Sequence, residues 1–115
     1  MPPGVMTVKV SELIAKAGFK AVTLPDADRE IKGAYAGDLL SWVMGRAKAD
    51  DVWITIMSNI NVVAVASLAD VACVVLAEGV QLDEEIKQTA LAKDVNIISS
   101  GMPIYETALE IGKYI

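Results

Sequence analysis

The stretch that most constrains this chain runs from Val52 to Gly79, where two short apolar runs flank a helical segment. Val52-Trp53-Ile54-Thr55-Ile56 and Ala72-Cys73-Val74-Val75-Leu76 are rich in the β-branched and aromatic residues that favour strands. Between them, residues 60–70 are rich in alanine and valine, lack glycine and proline, and are long enough for a crossover helix. Strands joined in this way run parallel and lie buried on both faces. Polar residues of such a sheet gather beyond the carboxyl ends of the strands, where ligands bind.

The flanking sequence extends this unit. Residues 1–5, with Pro2-Pro3, read as a flexible leader, with Met6 as an alternative start, ahead of one domain spanning 6–115. Ser11 is placed to cap a helix over residues 12–17, and Gly18 to end it. Residues 19–24 and 30–36 read as strands around an acidic loop. Asp38 then caps a short helix of Leu39, Leu40, Trp42 and Val43 that Gly45 ends. After Gly79, Asp83-Glu84-Glu85 places acids in the first turn of a helix running to about Lys93, where they complement its dipole. Residues 95–98 form the last strand, and Pro103 opens a terminal helix. The order αββαβαβαβα describes a compact three-layer α/β/α domain with a mostly parallel sheet of about five strands.

A chain of 115 residues buries roughly 65% of its unfolded surface, which leaves a modest interior. Yet 54% of the residues are hydrophobic, more than such an interior needs, so a homo-oligomer is expected, most simply a twofold dimer. The formal charge of −5, with no cluster of lysine and arginine, excludes the basic face that nucleic acid requires. The single cysteine forms no internal disulfide and sits in a strand, where it acts as a small hydrophobe. The apolar run 62–77 is too short to span a bilayer and contains Asp70. No signal-peptide pattern precedes it, and a reduced, cytoplasmic protein is predicted.

Four junctions carry polar residues at strand ends or helix starts: Gly37-Asp38, Ser58-Asn59-Ile60-Asn61, Glu78-Gly79 and Ser99-Ser100-Gly101. In a parallel sheet the last three share one edge. Ser58 and Asn59 precede the crossover helix, whose free N–H groups attract an anion, although the same residues are ordinary helix caps. Arg29 offers a guanidinium to a ligand phosphate or to neighbouring Asp28. The absences weigh against a self-sufficient enzyme. There is no histidine to act as base or metal ligand, and no G-x-x-x-x-G-K-[ST], G-x-G-x-x-G or C-x-x-C. No metal site or cofactor is expected.

Asp28-Arg29-Glu30-Ile31-Lys32-Gly33, followed by Tyr35-Ala36-Gly37-Asp38-Leu39-Leu40-Ser41-Trp42-Val43-Met44, resembles the DRTGG domain family. Residues 53–56, 61–66 and 77–79 look like the same family, so the similarity extends from Met6 to near the end. Of the naming motif, Asp28, Arg29 and one glycine, Gly33, match in type. The resemblance implies a fold similar to the N-terminal domain of HPr kinase/phosphorylase. It also implies kinship with domains found among the CBS domains of pyrophosphatases or joined to phosphate acetyltransferase. It implies a regulatory or ligand-binding role and brings no catalytic residues.

Three readings follow. The first is a non-catalytic regulatory or ligand-sensing module, homo-oligomeric, that docks on a metabolic enzyme and binds an anionic metabolite or nucleotide. Its expected site is Arg29, Asp38, Ser58, Asn59, Asn61, Glu78, Ser99 and Ser100. The second is a dimerisation scaffold without ligand. The third is a phosphoryl- or acyl-transfer enzyme using Asp38, Ser58 or Glu78, which needs a perturbed carboxylate in a closed pocket.

Overall fold

The computed structural model describes residues 7–115; the expected leader and the alternative start at Met6 lie outside them. The first half of the chain holds β1 (Val8–Lys9), α1 (Val10–Ala17), β2 (Lys20–Thr23), β3 (Glu30–Ile31), β4 (Gly33–Ala36) and α2 (Leu40–Arg46). The second half is regular: β5 (Asp51–Thr55), α3 (Ile60–Ala69), β6 (Cys73–Leu76), α4 (Glu84–Ala92), β7 (Ile97–Ser99) and α5 (Ile104–Gly112). The main sheet has the order β2-β7-β6-β5-β4, parallel except for β2, which runs antiparallel to β7. A separate antiparallel pair joins β1 to β3. The α/β architecture with a mostly parallel five-stranded sheet is the one expected.

Side-chain alternation along the central strands builds the layers. Trp53, Val74, Leu76 and Ile97 meet Val43 of α2, Val62, Val63 and Ala66 of α3 and Ala90 of α4. Val52, Ile54, Cys73, Val75 and Ile98 meet Val10 and Leu13 of α1, Ile111 of α5, and Val8 and Ile31 of the small sheet. Every residue of β5 and β6 is buried. That is why these runs are apolar without alternation. Cys73 stands among them with no exposed surface, and burial pushes its thiol up to about 12.

Three local expectations are corrected. The run 30–36 is two strands: Ile31 pairs with Val8, whereas Gly33 to Ala36 pair with β5, and the break falls at Lys32. Gly33 fits there because a Cβ would stand 2.7 Å from the Asp51 carboxylate oxygen. Asp38 does not cap α2, whose N-cap is Leu39, and Gly45 lies inside that helix. Ser11 lies within α1, which starts at Val10; the Val10 and Ser11 N–H groups donate to the carbonyls of Arg29 and Ala27. Gly18 ends α1 as expected, at φ 73°.

β2 joins the far edge of the sheet with a register shift between Ala21 and Thr23. The Thr23 hydroxyl fills the resulting gap, donating to Val95 O at 2.8 Å and accepting from Ile97 N at 3.0 Å. Beside it, buried Asn96 accepts from Asp26 N and donates to the carbonyls of Asp26 and Ala72, at 2.8–3.0 Å. One side chain thus fastens the β2–β3 loop to the start of β6. Among the described residues, no buried side-chain nitrogen or oxygen lacks a partner.

Asn96→Ala strands a backbone donor and two carbonyls, so it is expected to lower unfolding free energy by about 2–3 kcal/mol in urea titration. The elevated Cys73 pKa favours the protonated thiol in the folded state. Its contribution is therefore complete below the unfolded-state pKa of about 8.5 and declines as pH rises toward the folded value. The thiol of the folded protein is expected to resist aromatic disulfide reagents at pH 8, reacting only at the rate of unfolding, whereas urea-unfolded chain labels at once.

Candidate functional site: the carboxyl-end rim of the sheet

Because β4, β5, β6 and β7 run the same way, their carboxyl ends share one rim. Asp38 follows β4, Ser58 and Asn59 follow β5, Glu78 follows β6, and Ser99 and Ser100 close β7. Asn61 follows in the first turn of α3, so seven of the eight expected site residues lie on this side of the molecule, all but Arg29. Asp38, Glu78, Ser99 and Ser100 are occupied with holding it together.

Asp38 Oδ1 accepts from Thr55 Oγ1 at 2.7 Å and from Ile56 N at 3.0 Å, tying the ends of β4 and β5. Glu78 adopts φ 63°, and its Oε2 accepts from Ile104 N at 3.0 Å at the first turn of α5. A carboxylate there complements the free N–H groups and the dipole of the helix. Ser100 is buried, with Oγ 2.8 Å from Thr107 Oγ1 and accepting from Met102 N at 3.2 Å. Half-buried Ser99 pairs with Leu76 on one side and Lys20 on the other. These residues stitch β6 and β7 to α5.

The open part of the rim lies on the other face of the sheet, between the first turns of α3 and α4. A cavity of about 500 Å³ there is lined by Ser58, Asn59, Ile60, Asp83, Glu85 and Ile86. Asn59 Oδ1 accepts from Asn61 N at 2.9 Å, the cap that α3 requires. The Asn61 side chain is exposed and does not line the cavity. Asp83, Glu85 and Ile86 were not among the expected site residues. The signal for them was present: α4 follows the loop after β6, so its start must reach the same rim as the start of α3.

Arg29 is not at this rim. It lies at the amino-terminal ends of the strands, where its Nη2 stands 2.9 Å from both Asp50 Oδ1 and Asp70 Oδ1 and donates to Asp70 O at 2.6 Å. Lys32 Nζ approaches the other Asp50 oxygen at 3.7 Å. Burial works against the Arg29 charge, but the hydrogen bonds with Asp50 and Asp70 outweigh it and hold the guanidinium pKa above its ordinary value. Asp50 and Asp70 both sit in left-handed turns, at φ 69° and 59°, entering β5 and β6. Arg29 locks these turns to the β2–β3 loop. Of its two expected roles, pairing with Asp28 or with a ligand phosphate, the acid partner is found in Asp50 and Asp70, distant in sequence, rather than in Asp28.

No family model and no curated protein match this sequence. The backbone does have a solved counterpart: the CBS and DRTGG domains of the regulatory region of Clostridium perfringens pyrophosphatase, crystallised with the activator diadenosine tetraphosphate. The TM-score is 0.75 at 11% sequence identity, and the match covers 90% of this chain and 45% of that one. The fold is DRTGG-like. Of the Asp28-Arg29 pair that carries the sequence resemblance, Arg29 serves an ion-pair lock remote from the cavity. No helix among the described residues is long and apolar enough to cross a membrane.

Arg29→Ala is expected to lower unfolding free energy by about 1–2 kcal/mol, the partial exposure of the cluster limiting the loss. Urea titration checks the value. A smaller effect at high salt than at low salt identifies the contribution as ionic.

Proposed function

We propose that this DRTGG-like domain is a non-catalytic regulatory module that senses a nucleoside or nucleotide at the cavity between α3 and α4. The observation that carries this reading is the composition of the cavity: two helix starts and Ser58 beside two carboxylates and two isoleucines. Asp83 and Glu85 disfavour a bare anion by like-charge repulsion. A ligand that offers hydroxyl or amino donors to these carboxylates, an apolar ring to Ile60 and Ile86, and a negative end to the Ser58-Asn59 turn meets every part of the lining. A nucleoside phosphate has all three.

The solved counterpart, a regulatory region complexed with a dinucleotide activator, supports a ligand-sensing role for this fold. In this reading Glu78, Ser99, Ser100 and Asp38 set the geometry of the rim rather than touch ligand, and Arg29 acts only on stability. The domain acts as a cytoplasmic homo-oligomer and transmits ligand occupancy to a metabolic enzyme. Such an arrangement matches the resemblance to the N-terminal domain of HPr kinase/phosphorylase. Occupancy shifts partner affinity by as much as the ligand discriminates between free and docked forms.

Calorimetry and thermal unfolding against a panel of nucleosides, nucleotides and dinucleotides test the reading. At a ligand concentration 100 times Kd, stabilisation of about 2.7 kcal/mol is expected. Ser58→Glu, which adds a third carboxylate, should weaken binding at least tenfold, whereas Arg29→Ala should leave it unchanged. Silence across the panel would reduce the domain to a ligand-free scaffold.

A further inference from the structure

The two edges of the main sheet are built differently. β2 carries a register shift, begins with Lys20 and is followed by Pro25, all devices that prevent another strand from pairing with it. β4 has none of these within Gly33-Ala34-Tyr35-Ala36, and among the described residues it pairs only with β5. Gly37 N donates to Ile54 O. By the alternation of a parallel ladder, Tyr35 also faces β5, whereas Ala34 and Ala36 direct their N–H and C=O groups outward. Both alanines are exposed and too small to obstruct an approaching strand.

We propose that this edge is a self-association site: β4 pairs antiparallel with β4 of a second copy about a twofold axis at Tyr35, giving a continuous ten-stranded sheet. The proposal rests on the homo-oligomeric part of the reading above and supplies its interface. The sequence around β4 is self-complementary in that register. Ala34 stands opposite the partner's Ala36, where each pair exchanges both of its outward hydrogen bonds. Tyr35 meets the partner's Tyr35 as a close non-hydrogen-bonded pair, an arrangement that aromatic side chains favour. The ladder stops at Gly33, because the Lys32 N–H turns inward to Asp50 O, so the complementary register is that of residues 34–36.

The axis stands perpendicular to the sheet and keeps both α2 helices on one face. α2 is the outermost helix on its face, since it joins β4 to β5 and packs on α3. It and the residue before it leave Leu39, Trp42 and Met44 exposed by 59%, 52% and 42%. A stable dimer takes about 800 Å² from each partner, more than one short strand provides. The α2 side chains supply apolar area beside it.

Sedimentation equilibrium should give twice the 12.2 kDa chain mass at about 100 µM chain. Ala34→Pro removes an outward N–H at an edge position where proline is compatible with a strand; it should be monomeric with an unchanged circular dichroism spectrum. A mixture of Ala34→Cys and Ala36→Cys chains should form an inter-chain disulfide, and either variant alone should not, because only the mixed pair is opposed. Cys73 is buried and does not interfere.

A wild-type monomer overturns both the interface and the homo-oligomer, and leaves the edge to a different chain. A dimer that survives Ala34→Pro, or that cross-links as well in the single variants as in the mixture, overturns this interface and leaves oligomerisation standing. If Ala34→Pro fails to fold, the cysteine mixture decides. All of these measurements are made without nucleotide, so their failure is distinct from failure of the ligand site.

Discussion

Because β5 and β6 are enclosed on both faces, every N–H and C=O along them must find a partner in an adjacent strand. That requirement places β4 and β7 beside them, and the crossover helices α2, α3 and α4 set all four strands in one direction. The common direction brings the four carboxyl ends to one rim and the turns entering them to the other. The two rims then acquire opposite characters. One is closed by the Arg29, Asp50 and Asp70 ion cluster, and the other retains a cavity between two helix starts.

The cavity is open because the opposite face of the same rim is closed. Glu78, Ser100 and Thr107 bind the ends of β6 and β7 to α5, which covers the strands on that side. On the α3 and α4 side, the only hydrogen bond from the Ser58–Asn59 turn side chains among those described is the Asn59 cap. In the proposed function, helix N–H groups and carboxylates meet the ligand together, and this electrostatic pairing, more than cavity size, is what argues for a molecule with both donor and anionic ends.

The central βαβ unit was legible in the sequence because its signal is local: two unbroken β-branched runs and one helix without a breaker. Asn59 was legible as a cap for the same reason. What could not be read depends on partners far along the chain. Residues 30–36 alternate smoothly, and only the positions of Val8 and Asp51 divide them into β3 and β4. Arg29 sits next to Asp28, yet its partners lie 21 and 41 residues away. Asp38 has the right identity and place for a helix cap, but Thr55 and the Ile56 amide compete for its carboxylate and win. The acids of α4 were read for their effect on their own helix, although the topology also turns Asp83 and Glu85 toward the start of α3.

The placement of β2 beside β7 has a consequence for how the protein is made. Thr23 and Asn96 join segments 70 to 74 residues apart, so β2 leaves the ribosome long before its mate exists. The βαβ centre is able to collapse during synthesis, but the β2 edge waits for the last quarter of the chain. During that interval β2 and the β2–β3 loop lack their main partners, and a slow ribosome prolongs the time in which chaperones have access to them.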